Sequence, residues 1–278
     1  MPRRRSVLSV PGSSERMLRK AFETAADEIV IDLEDAVAVD AKAQARATVT
    51  EFLSRATQDR QVAVRVNACG TPWAHEDLIA VASLSNIPQS VVISKVESAG
   101  DLAFVDRLLS GVESASGRTP LTVQALIESA AGLVHLDEIC HATDRLDSII
   151  LGYADLAVSL RRTRTDRWLP AQERVLWAAR AAGIAAVDGP HLGTAVDNDF
   201  LGAVRASAGA GFDAKWVIHP SQIDAVHAAF SPSEDEIRWA RDVLAALAEA
   251  NGAAVQLDGR MLDEAVAARA RQILTHVD

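Results

Sequence analysis

The stretch 121-LTVQALIESAAG-132 sets how the rest of the chain is read. A short apolar run ends directly on a glutamate, Glu128, and the small residues Ala130, Ala131 and Gly132 follow it. A charge at the edge of a core is costly unless something pairs with it. The run is too short for a core helix, and it and its counterparts mostly lack polar alternation, the pattern of parallel strands buried on both faces. The same pattern recurs at Ser6–Val10, Glu28–Glu34, Gln61–Asn67, Ser90–Val96, Leu146–Gly152, Gly183–Asp188 and Ala214–His219. Between these runs lie Ala-rich, charged stretches such as SSERMLRKAFETAAD and EDLIAVASL, which read as helices, the first capped by Ser13 or Ser14.

Eight strands, each followed by a helix, in a chain of 278 residues match the count of an α/β (β/α)8 TIM barrel. A doubly wound sheet is the competing architecture, but SVPGSS stands after the first strand where a GxGxxG would be expected. The expected organisation is a barrel over 1–250 and a C-terminal extension over 251–278, whose amphipathic helix is suited to packing on another subunit. A net charge of −10 with no basic stripe argues against nucleic acid, and no apolar run is long enough for a bilayer. The Arg3-Arg4-Arg5 cluster reads as a solvated end. Cys69 and Cys140 have no metal-binding or disulfide spacing, and the basic start followed by SVLSVPGS is unlike a signal peptide, so a cytoplasmic setting is expected.

In such barrels the active site lies at the carboxyl ends of the strands. Those ends present Pro11 and Gly12, Glu34 and Asp35, Arg65 and Asn67, Lys95 and Glu97, Glu128, Asp155, Asp188 and His219. Glu128 and Asp155 fall on consecutive strand–loop units, and neighbouring carboxylates repel unless a proton or cation lies between them. Two readings stay open for them: an oxygen-rich Mg²⁺ site, or two acids each stabilised by a helix N-terminus. Arg65 is suited to clamping a carboxylate bidentately, with an ion pair to Glu34 or Asp35 as the alternative. Lys95 fits an ion pair better than a Schiff base, and His219 fits a structural role. Lys42 and Arg46, four apart, are explained by a solvated helix face or by a phosphate-rich ligand.

The segments RRSVLSVPGS, IVIDLEDAVAVDAKAQAR, VAVRVN, ALIESAAGL, ILGYADLAVSL, AAGIAAVDGPH, KWVIHPSQI and GRMLD together resemble the citrate lyase β-subunit-like CoA-ester lyases of the HpcH/HpaI aldolase superfamily. The resemblance implies a Mg²⁺-dependent carbon–carbon lyase acting on an acyl-CoA, with Glu128 and Asp155 as the metal ligands. It gives Arg65 the substrate carboxylate, and Glu34, Asp35 and Glu128 on the same rim are expected to contact substrate with it. It implies coenzyme A near Lys42, Arg46 and the Pro11–Gly12 backbone. It makes Asp263 a catalytic acid or base brought in by a neighbouring subunit of a trimer or hexamer. A free α-keto acid aldolase and a subunit that needs an acyl-carrier partner are the rival readings.

Overall fold

Eight parallel strands close on themselves in chain order: β1 (Ser6–Pro11), β2 (Glu28–Asp32), β3 (Gln61–Val66), β4 (Ser90–Ile93), β5 (Thr122–Ile127), β6 (Leu146–Leu151), β7 (Ala185–Asp188) and β8 (Ala214–Val217). Closure is made by β8 returning to β1, with Leu8 opposite Val217. This architecture comes from a computed structural model that describes residues 4–56, 61–85, 87–163, 168–249, 255–257, 260–275 and 277, with backbone alone at 255–257 and 260. The α/β barrel read from the strand count is the fold observed.

The absence of polar alternation has its cause here: β2, β4 and β8 are buried at every position because helices cover the outside of the barrel. Val7, Val30, Ala63, Val92, Leu126, Ile150, Val187, Ala214 and Trp216 form one buried cluster, so the interior is a packed core. At the amino ends of the strands, Gln124 Nε2 donates to Glu28 Oε1 at 2.7 Å. Arg4 pairs with Glu28 at 3.4 Å and Asp147 at 3.5 Å, and Arg5 grips Asp27 through Nε and Nη2 at 2.8 and 2.9 Å. Arg4 and Arg5 are therefore ion-paired rather than a solvated end, and Arg3 lies outside the described residues.

Several strands stop short of their expected ends, each for a local reason. β2 ends at Asp32 because that carboxylate accepts the backbone N–H groups of Glu34 and Ala36 and folds the chain into a turn. β4 ends at Ile93 because Lys95 takes a left-handed backbone, φ 52°, that leaves the ladder. β7 starts at Ala185 because Gly183, φ 69°, closes the helix Leu169–Ala182 in the left-handed conformation. Ser14, not Ser13, caps the helix Glu15–Phe22.

The chain forms two compact units, one running to Val226 and the other from His227 onward. Within the second unit, helix Glu234–Glu249 and helix Glu264–Thr275 share a core of Ala240, Val243, Leu247, Leu262, Ala267 and Ala270. Between them an antiparallel hairpin, β9 (Val255–Leu257) and β10 (Arg260–Leu262), supplies Leu262 to that core. Among the described residues no helix is long and apolar enough to cross a membrane.

Candidate active site

Arg65 interrupts the Val-rich β3, and its guanidinium is held against β2. Nε and Nη2 lie 2.7 and 2.5 Å from the two oxygens of Asp32, and Nη1 lies 3.3 Å from Glu34 Oε2. The fork meets the carboxylate with two parallel bonds, a geometry lysine lacks. The guanidinium carbon stands 5.8 Å from the Trp216 ring centroid. Burial pulls the Arg65 pKa down, but the bonds to Asp32 and the charges of Asp32, Glu34 and Glu128 outweigh it and leave it above the ordinary value. The expected alternative partners were Glu34 or Asp35. The first partner is Asp32, Glu34 is the second, and Asp35 is exposed, 3.6 Å from Lys95 instead. Asp32 was missed because it sits inside the apolar run IVIDLE. The signal available was an acid facing an arginine in the next strand, and the register pairs Asp32 with Arg65.

Next along the rim, Lys95 gathers the remaining carboxylates. Its ammonium bonds Glu34 Oε1 and stands 3.1 Å from Asp155 Oδ2, while its backbone N–H donates to Glu128 Oε1 at 2.9 Å. Burial pulls the Lys95 pKa down, yet the bond to Glu34 and the surrounding carboxylates leave it above the lysine range, so the group is an ammonium rather than a Schiff-base amine. The Glu128 carboxyl is pushed up to about 8, first by burial, with Glu34 and Asp155 adding to the shift and Lys95 opposing it. Glu34 is likewise raised, chiefly by burial.

Glu128 follows β5, and Asp155 lies in the first turn of the helix Tyr153–Ser159 after β6, so adjacent strands bring the pair together. A Cβ on Gly152 would come within 2.8 Å of Glu128 Oε2, which is why glycine stands there. Gly132 is needed for a close approach of backbone: a Cβ there would meet the Val96 carbonyl at 2.6 Å. The donor set is oxygen only. Glu128 Oε1 is spent on a backbone N–H, and Asp155 Oδ2 is buried without a hydrogen-bond partner. Among the described residues no cluster of three or more His, Cys, Asp or Glu side chains is arranged to hold a metal. Two carboxylates that leave most coordination positions to water and substrate fit Mg²⁺.

Other residues singled out from sequence serve the frame. Lys42 is buried rather than on a solvated face, and it donates to the carbonyls of Leu33 at 3.0 Å and Glu34 at 2.7 Å. Asn67 also donates to Leu33 O, at 2.9 Å, so two side chains strap the turn that carries Glu34. Arg46 pairs with Glu76 at 2.8 Å and Asp77 at 2.7 Å, leaving Nη2 buried and unbonded. Gly12 N donates to Asp32 O at 2.8 Å, packing the Pro11–Gly12 backbone on the β2 end. Asp188 bonds Lys215 at 2.5 Å and the Tyr153 hydroxyl. His219 caps the turn Pro220–Gln222, the structural role expected of it. Within the second unit, Asp263 is exposed, and its Oδ1 accepts from Val266 N at 3.1 Å at the start of the last helix.

Residues 5–220 match the family model described as HpcH/HpaI aldolase/citrate lyase. An L-malyl-CoA/beta-methylmalyl-CoA lyase of Cereibacter sphaeroides is 36% identical over 294 aligned positions, which cover 96% of this chain and 92% of that protein. The citrate lyase subunit beta of Escherichia coli K12 is also 36% identical, covering 99% and 93%. A crystal structure of protein CitE from Mycobacterium tuberculosis, in complex with magnesium, acetoacetate and coenzyme A, superposes with a TM-score of 0.83 at 31% identity, covering 99% and 98%. A family model spanning most of the chain, with relatives alike along nearly their whole length, leaves one assignment: this chain belongs to the HpcH/HpaI aldolase/citrate lyase family.

Proposed function

We propose that the protein is a Mg²⁺-dependent acyl-CoA lyase that makes or breaks the carbon–carbon bond between acetyl-CoA, or propionyl-CoA, and an α-keto acid. The observation that carries this reading is the arginine clamp on Asp32 and Glu34 beside the Glu128–Asp155 pair on adjacent strand ends. The relatives named as malyl-CoA/methylmalyl-CoA and citrate lyases, and the CitE complex with magnesium and coenzyme A, support it.

A divalent cation held by Glu128 and Asp155 would polarise the oxygen next to the scissile bond. Arg65 binds the acid's carboxylate end, and its ion pair to Asp32 fixes the direction of the fork before substrate arrives. In the cleavage direction a base takes the hydroxyl proton, the bond breaks, and the thioester fragment leaves as its enolate. Asp263 protonates that carbon, and in condensation it removes the proton instead. In this reading Asp263 comes from another copy of the chain in a trimer or hexamer. Coenzyme A lies along Arg46 and the Pro11–Gly12 backbone, with Lys42 shaping the Leu33–Glu34 turn beside it. The free thiols Cys69 and Cys140 accord with a cytoplasmic, reducing setting.

The test is a panel of malyl-, citramalyl-, methylmalyl- and citryl-CoA assayed for release of the acyl-CoA fragment and the keto acid. Cleavage of at least one is expected. Retro-aldol activity on free acids alone, with no response to coenzyme A, would replace this reading with the aldolase one. Activity only on adding a thioester-carrying protein would make the chain a partner-dependent subunit.

A further inference from the structure

One residue touches both members of the carboxylate pair. The Lys95 backbone N–H donates to Glu128 Oε1 at 2.9 Å, and its ammonium lies 3.1 Å from Asp155 Oδ2. The backbone N–H that makes the first contact belongs to a left-handed residue, φ 52°, a conformation uncommon for a residue with a Cβ. The ammonium has other anchors, since it bonds Glu34 and stands 3.6 Å from Asp35. The contact to Asp155 Oδ2, at 3.1 Å, is longer than the ammonium's bond to Glu34 Oε1. With 39% of its side chain exposed, on a flexible four-carbon stem, Lys95 has space to move.

We propose that Lys95 is the built-in counter-cation of the rim: its ammonium neutralises Asp155 and Glu34 in the metal-free enzyme and yields Asp155 to the divalent cation, remaining on Glu34 and Asp35. This rests on the reading of Glu128 and Asp155 as the cation pair. Like charges a few ångströms apart compete for one carboxylate, so Lys95 weakens cation binding while holding the empty site together. Glu34 stays paired throughout, and with it the second contact of Arg65.

The experiment titrates Mg²⁺ into metal-stripped wild type, Lys95→Met, Lys95→Arg and Glu128→Gln by calorimetry, with thermal unfolding of each protein with and without Mg²⁺. Lys95→Met is expected to bind Mg²⁺ about tenfold more tightly. Its metal-free melting temperature should fall below that of wild type and return with saturating Mg²⁺. Lys95→Arg keeps the charge and should keep the wild-type affinity. Unchanged or weaker binding by Lys95→Met overturns the proposal, as does a melting loss that Mg²⁺ does not restore, or tightening by Lys95→Arg equal to that of Lys95→Met. Failure of the cation site itself has a different signature: wild type binds no Mg²⁺, or Glu128→Gln binds as wild type does, and the proposal falls with it.

Discussion

In the proposed reaction Arg65 and Glu128 are the side chains on which the chemistry turns, and each has a sharp expected phenotype. Lysine in place of Arg65 keeps a charge but loses the fork that meets Asp32 through two nitrogens. Arg65→Lys is expected to lower kcat/KM about 100-fold, the scale of losing one well-placed charge-stabilising donor. It should also destabilise the protein by about 1–3 kcal/mol, because the buried Asp32 loses a partner. Steady-state kinetics and urea unfolding check the two effects. Glu128 is a carboxyl raised from 4.5 to about 8, so the metal-free folded state binds a proton that the unfolded chain has released. A group raised in this way adds stability below its unfolded pKa, and that stability is lost as pH rises towards about 8. Metal-free protein should therefore lose melting temperature between about pH 5 and 8, and Glu128→Gln should flatten the trend. For the same reason Mg²⁺ affinity should rise with pH through this window, since the cation binds the ionised form.

At the scale of elements, the site is made by turns that leave the barrel strands. Asp32 folds the turn after β2, Lys42 and Asn67 strap it, and Lys95 bends the chain after β4. The strands themselves were legible: apolar runs bounded by ionisable residues placed all eight, and the rim was read from where they stop. Their last residues were not, because a turn-forming carboxylate such as Asp32 and a left-handed lysine look like ordinary polar strand ends. The buried role of Lys42 was hidden for the same reason, as its partners are backbone carbonyls that leave no mark in sequence. The meaning of small residues also escaped a reading along the chain. Gly132 makes room for the Val96 carbonyl, and Gly152 makes room for Glu128. Gly152→Ala is expected to cost about 1–3 kcal/mol from overpacking and to weaken Mg²⁺ binding by displacing the Glu128 carboxylate. Thermal unfolding and Mg²⁺ calorimetry on the same preparation check both.

Across the whole molecule the sequence gives a barrel and an extension different fates. The barrel unit carries Arg65, Glu128 and Asp155, whereas Asp263 belongs to the unit built from helices Glu234–Glu249 and Glu264–Thr275 and the β9–β10 hairpin. The hairpin was not foreseen, because its strands are three residues each and flanked by Gly252 and Gly259. If Asp263 completes the site of another copy, Glu128→Gln and Asp263→Asn should each be inactive alone. Mixed under conditions of subunit exchange, they should regain a fraction of wild-type turnover, because hybrid sites then combine an intact Glu128 with an intact Asp263. Absence of recovery in mixtures verified to contain hybrids would assign Asp263 to the site of its own chain or to none.

The most direct measurement is acyl-CoA cleavage by metal-stripped wild type and Glu128→Gln, each assayed in chelator and with saturating Mg²⁺. Wild type is expected to be silent in chelator and active with Mg²⁺, and Glu128→Gln, folded as judged by circular dichroism, to remain about 1,000-fold slower with Mg²⁺ present. Wild-type turnover in chelator, or full Mg²⁺-supported activity of Glu128→Gln, would contradict a cation-dependent lyase centred on Glu128 and Asp155.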